Sequence, residues 1–255
     1  MGVETGPNRA APPVGDALPP RQVHRACPSH IALKATMAVS GSIMAAFVIA
    51  HMVGNLKAFM GPEDYNSYAR FLRTVLYPLL PYEGVLWILR VVLLACLVAH
   101  TTAGVMLWRR GRRARGSFGR QGIMARSWAT RTMILSGAVV LVFIVVHLLD
   151  LTIGRLVASS AYQAPVHTGP HEVEIHAYEN LVASLSRPGM ALFYTAVMLV
   201  ISVHLAQGLW NVLHDLGGTA PRLRRIWLAL GLAAALAVAV LNGMLPLLVL
   251  AGVIS

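Results

Sequence analysis

The chain has 255 residues, 56% of them hydrophobic and only 12% charged, whereas about 25% of an average soluble domain is charged. That balance excludes a water-soluble fold and makes a bilayer the expected solvent. The net charge of +11 does not point to nucleic acid, because the cations are confined to short segments beside apolar runs, where they set membrane orientation.

Residues 1–29 contain many Pro, Gly and Ala and no continuous apolar stretch. They offer neither the apolar region of a signal peptide nor a packable core, and are expected to form a mobile or surface-laid tail. Residues 30–255 form the expected all-α membrane domain. Its five apolar runs lie at about 31–54, 83–108, 128–151, 188–213 and 226–253. Each approaches the roughly 20 residues that cross a hydrocarbon core about 30 Å thick. Lipid offers no hydrogen-bond partner to an open backbone, and a barrel would need many shorter alternating strands, so all five must be helices.

The connection at 109–131 carries Arg109, Arg110, Arg112, Arg113, Arg115, Arg120, Arg126 and Arg131 and no acid. Positive charge concentrates on cytoplasmic loops. Counted over alternate connections, fifteen cations fall on this side and five on the other, namely Lys57, Arg70, Arg73, Arg155 and Arg187. The N-terminus is therefore expected in the cytoplasm and the C-terminus outside. The long opposite connections, 55–82 and 152–187, are expected to contain short helices lying over the outer surface. In the second of these, His167, His171 and His176 stand near Glu172, Glu174 and Glu179, but Pro165, Gly169 and Pro170 interrupt any helical alignment. A solvated polar loop is the expected reading. The two cysteines, Cys27 and Cys96, are too few for a disulfide framework or a thiolate metal site.

Four of the ten histidines, His51, His100, His147 and His204, fall one in each of the first four spans. A histidine in a span is costly without a partner. His51 lies 17 residues beyond Lys34 and His147 lies 16 beyond Arg131, placing both about 24–25 Å from the basic side. The second and fourth spans run the other way. There His100 precedes Arg109 by nine residues and His204 precedes His214 by ten, so both lie about 14–15 Å from that side.

Direction and count alone thus give two bis-histidine levels, expected about 10 Å apart. Two imidazoles facing each other in a helical bundle suit the axial ligation of a six-coordinate haem. Zinc would want further ligands at each level, and a proton relay would not require pairing by depth. Gly41, Ser42, Ala45, Ala46, Gly104 and Gly137 would leave room for a flat macrocycle, though small residues also serve plain helix packing. Arg90, Arg131 and Lys34 are candidate partners for haem propionates.

The segment with His51, Gly54, Asn55, Leu56, Phe59, Gly61, Glu63, Tyr65, Asn66, Tyr68 and Ala69 resembles a known family. So does the run His204, Leu205, Gln207, Gly208, Leu209, Trp210, Leu216 and Gly217. The family is that of the single-chain, five-helix, di-haem cytochrome b membrane anchors of succinate dehydrogenases and fumarate reductases. The resemblance covers all five spans and omits the tail and the loop near His167.

It implies a bacterial plasma-membrane protein that works with a flavoprotein subunit and an iron–sulfur subunit. It implies two b haems, a proximal one held by His100 and His204 and a distal one by His51 and His147, passing electrons to a quinone, by analogy menaquinone. It also implies a carboxylate near the distal haem that exchanges protons with quinone, with Glu63, Asp64 and Glu83 as candidates. Two other readings stay open: the haem b subunit of another quinone-reactive enzyme of hydrogenase or formate dehydrogenase type, and a helical transporter without redox chemistry.

Overall fold

The computed structural model describes residue 2 and residues 28–116, 124–169, 173–218 and 220–255. Nearly all of the tail, with Cys27, and Arg120, His171 and Glu172 lie outside the described residues, as do the side chains of Arg115, Arg126, Arg131 and His167.

Five helical stretches are long and apolar enough to cross a bilayer. The first is α1 (His30–Asn55), which starts where the Ser29 hydroxyl accepts a hydrogen bond from the Ala32 amide at 3.0 Å. It runs through a short 3₁₀ turn, Leu56–Met60, to Gly61, whose φ of +99° turns the chain into α2 (Pro62–Thr74). Glycine adopts that conformation at no steric cost, and proline is favoured in the first turn of the helix that follows. Next come α3 (Gly84–Arg115), then α4 (Met124–His147). The third span continues past α4 as a π-helical turn, Leu148–Ile153.

In the second long connection a two-residue ribbon pairs β1 (Val166–His167) with β2 (Val173–Glu174), antiparallel, with Val166 opposite Glu174. The ribbon lies within the polar loop expected there. It leads to α5 (Ala177–Leu185) and α6 (Pro188–Asp215). The fifth span is divided into α7 (Pro221–Ala237), a π-helical turn at Val238–Asn242, and α8 (Gly243–Leu250), which contains Pro246. Proline removes an amide donor and crowds the preceding turn. The wider turn just before it accommodates that disturbance, and the Thr195 hydroxyl donates to the Gly243 carbonyl at 3.2 Å.

Helix α6 is the hub, packing on α1, α4, α7 and α8, while α1 also packs along α3. Between apolar helices in lipid the association comes from close van der Waals contact and polar links rather than from the hydrophobic effect. Both are present. Gly104 of α3 receives Met37 of α1, and Gly231 of α7 receives Leu209 of α6. The first four spans form a ring, α1–α3–α4–α6, whose two diagonals, α1 with α4 and α3 with α6, are not closely packed helix to helix.

At the end away from the basic connection, α2 and α5 lie across the bundle, as expected of short surface helices. Buried Asn66 joins them. Its amide donates to both Glu179 carboxylate oxygens, at 3.0 and 3.2 Å, and its carbonyl accepts from the Tyr178 amide at 3.0 Å. At the other end Lys34 binds Asp215 at 2.8 Å, tying the start of α1 to the end of α6.

Gly54 sets how closely α2 approaches α1, because a Cβ there would meet the Tyr68 ring at 2.8 Å. Gly54→Val is expected to lower the thermal unfolding midpoint of the detergent-solubilised chain, at a cost of about 1–3 kcal/mol. Trimming the ring with Tyr68→Ala in the same chain should recover part of that loss.

Candidate functional site

Inside the ring lie the four span histidines, and two of them, His51 and His147, are in ring contact. The rings of His51 and His147 face each other across the α1–α4 diagonal, 5.9 Å between centroids and inclined by 75°. Each ring rests on an aromatic one turn earlier in its own helix. Phe47 stacks on His51 and Phe143 on His147, both at 5.5 Å, the i, i+4 spacing that brings side chains together on a helix face. His51 stays exposed despite its depth in the span, and His147 Nδ1 is buried without a hydrogen-bond partner.

His100 and His204 stand on the other diagonal, on α3 and α6. Neither is held by its own helix. His100 packs over Gly41 of α1, where a Cβ would come within 3.1 Å of the ring, and its Nδ1 is 3.2 Å from Ser40 Oγ. His204 packs over Gly137 of α4, 3.5 Å from where a Cβ would sit, with its Nδ1 2.9 Å from Ser136 Oγ. Gly41 stands ten residues before His51 and Gly137 ten before His147. The two levels are therefore separated by a rise of about 15 Å along either helix. That is wider than the 10 Å expected, because the charged ends used to count depth are not level with one another.

Among the described residues no group of three or more His, Cys, Asp or Glu side chains is arranged to hold a metal ion. Each level offers two imidazoles only. A donor set of that kind suits a metal whose other positions are filled by a macrocycle, and the two glycine cradles, the loosely packed diagonals and the unpartnered His147 Nδ1 fit a flat group held between the rings.

The remaining candidates are distributed unevenly. Lys34 is occupied by Asp215, and the Arg131 side chain lies outside the described residues. Arg90 stacks over the Trp87 ring at 4.7 Å and faces Glu83 at 3.5 Å; Arg73 binds the other oxygen of Glu83 at 2.9 Å. These three line a cavity of about 280 Å³ with Tyr162, His176 and Asn180. Glu63 and Asp64 are exposed on the first turn of α2, and Asp64 lies 3.8 Å from Lys57. Of the three acids, Glu83 lines this cavity. His176 lies 3.8 Å from Glu174.

One residue that sequence reasoning passed over stands beside the His51–His147 level. Asp150, fully buried in the π-helical turn that follows His147, accepts hydrogen bonds from Ser184 Oγ, from Tyr194 OH at 2.9 Å and from Arg187 Nη2 at 2.8 Å. The Tyr194 ring in turn meets His147 edge-on at 6.1 Å. An acid inside an apolar run was the available signal. A second signal is a pattern shared by the two parallel helices: Ser40, Gly41, Phe47 and His51 in α1 recur at the same spacing as Ser136, Gly137, Phe143 and His147 in α4.

Fold and site together define a five-span helical membrane protein with His51 and His147 facing each other in its interior. No family model matches the sequence, and no solved structure matches it. The chain is similar to the succinate dehydrogenase cytochrome b558 subunit of Bacillus subtilis (strain 168). The two are 28% identical over 181 residues, which cover 71% of this chain and 77% of that protein.

Removing the carboxylate with Asp150→Ala strands Arg187 and the Tyr194 hydroxyl. A stability loss on the order of 3 kcal/mol is expected, since breaking a buried pair leaves its partner uncompensated. Thermal unfolding in detergent measures it, and a shift no larger than that of a surface substitution such as Asp64→Ala would contradict the assignment.

Proposed function

We propose that this chain is the membrane-anchor, electron-transfer subunit of a succinate:quinone oxidoreductase and holds two b haems. The apposition of His51 and His147 at 5.9 Å carries this reading, supported by the Ser–Gly cradles of His100 and His204 and by the similarity to the B. subtilis subunit. Bound haem b supplies a one-electron carrier whose potential depends on its axial ligands and burial.

The chain's own residues do the rest. His51 and His147 would ligate one haem and His100 and His204 the other, while Arg90 and, at the basic end, Arg131 are the cations we assign to propionates, Lys34 being committed to Asp215. We place the basic connection in the bacterial cytoplasm, following the asymmetry of arginine and lysine, with residues 1–29 as a cytoplasmic tail. The His100–His204 level then lies nearer the cytoplasm, on the side from which an iron–sulfur subunit, itself fed by a flavoprotein that oxidises succinate, would deliver electrons. Quinone, by analogy menaquinone, would be reduced toward the opposite face. Of the candidate acids, Glu83 is favoured to exchange protons with it, because it lines the cavity in the membrane-end layer.

His51→Ala, His100→Ala, His147→Ala and His204→Ala, made singly, are each expected to reduce haem from two per chain to one. Substitutions at the same level should remove the same spectral component. The measurement is haem per chain with a reduced-minus-oxidised spectrum of the purified protein. Two haems retained in any of the four variants would sink the ligand assignment, and a wild-type chain without a haem b spectrum would sink the functional reading as a whole.

A further inference from the structure

The two histidine levels differ in what stands behind the rings. Ser40 and Ser136 each sit mid-helix, and each has one hydroxyl proton. Ser40 Oγ donates to the Thr36 carbonyl and Ser136 Oγ donates to the Met133 carbonyl, the usual destination of a serine proton inside a helix. With that proton committed, each oxygen has only lone pairs to offer the neighbouring ring. The Nδ1 atoms of His100 and His204 must then be the donors across the 3.2 and 2.9 Å contacts. For His100 the backbone carbonyl of Met37 is a second acceptor beside the ring. A neutral imidazole that donates through Nδ1 presents the lone pair of Nε2. At the other level the arrangement is lacking: His147 Nδ1 is buried with no hydrogen-bond partner.

We propose that Ser40 and Ser136 are positioning residues that hold His100 and His204 as Nδ1–H tautomers and make them the more electron-rich of the two axial pairs. The inference rests on the two-haem reading and adds to it the device that makes the levels unequal. A hydrogen bond accepted from the far nitrogen of a ligating imidazole fixes the ring orientation and raises ligand basicity. A more basic axial ligand favours the oxidised metal and lowers the potential of its haem. The helix that supplies each serine belongs to the opposite pair, so α1 and α4 each ligate at one level and tune at the other.

The test is a potentiometric titration of the haem spectra of the full-length chain in membranes, together with haem per chain, for Ser40→Ala, Ser136→Ala and the corresponding Ser→Thr variants. The expected result is two haems per chain, an upward shift of the midpoint of the haem assigned to His100 and His204, and no shift of the other. A larger shift is expected in the double alanine variant and a return toward wild type with threonine, which restores the oxygen. Loss of that one haem in an alanine variant, with retention and native potential in the threonine variant, also supports the assignment. Unchanged potentials in alanine variants that keep both haems would overturn it, as would equal shifts of both haems or failure of threonine to restore a shifted or lost component. Absence of haem from the wild-type chain is a different result, and would reject the functional reading beneath it.

Discussion

A polar side chain carried into hydrocarbon must find its partner inside the protein, and that requirement organises the interior of this bundle. It is met differently at each height. Near the basic end an imidazole meets a serine on the next helix; farther along two imidazoles meet ring to ring, and His147 Nδ1 keeps no hydrogen bond from the protein. At the far end of the third span a buried carboxylate gathers a hydroxyl, a phenol and a guanidinium. Helix α6 contributes to every one of these arrangements through His204, Tyr194 and its N-terminal Arg187, and this explains its place as the hub against which the other spans pack.

The recurrence of Ser, Gly, Phe and His at equal spacing in α1 and α4 has a direct geometric meaning. Two parallel helices with the same pattern, set on opposite corners of a ring, present glycine and serine to antiparallel neighbours at one level and histidine to each other at the next. Glycine admits the ring, serine orients it, and phenylalanine supports the histidine ten residues beyond the glycine. The loosely packed diagonals follow, because the helices approach closely only around the perimeter. In the proposed function those diagonals are where flat macrocycles would lie.

The membrane-end layer is built on different chemistry. Asn66 clasps Glu179 and the Tyr178 backbone, and Gly54 lets Tyr68 close down on α1. The cavity between this layer and α3 contains an acid held by two arginines. A carboxylate in that setting is fixed in position while staying next to open space, as a group that exchanges protons with a ligand must be.

Chain order and residue type determined a good deal without any coordinates: five membrane-length helices and the short helices in the two long connections. These rest on hydrophobic run length and on the constant rise of a helix, which are local properties. The same reasoning misjudged the separation of the two levels, because the offset between neighbouring helices is set by packing rather than by where charges fall in the chain. It also left Ser40, Ser136, Tyr194 and Asp150 unread. Only the tertiary structure decided which serine meets which ring, that Asp150 is enclosed by α5 and α6 rather than lying at an aqueous edge, and that Glu83 lines a cavity with Arg73 and Arg90. Each of those depends on how one helix is rotated about its axis relative to another, and that rotation is fixed by side-chain contacts between segments far apart in sequence.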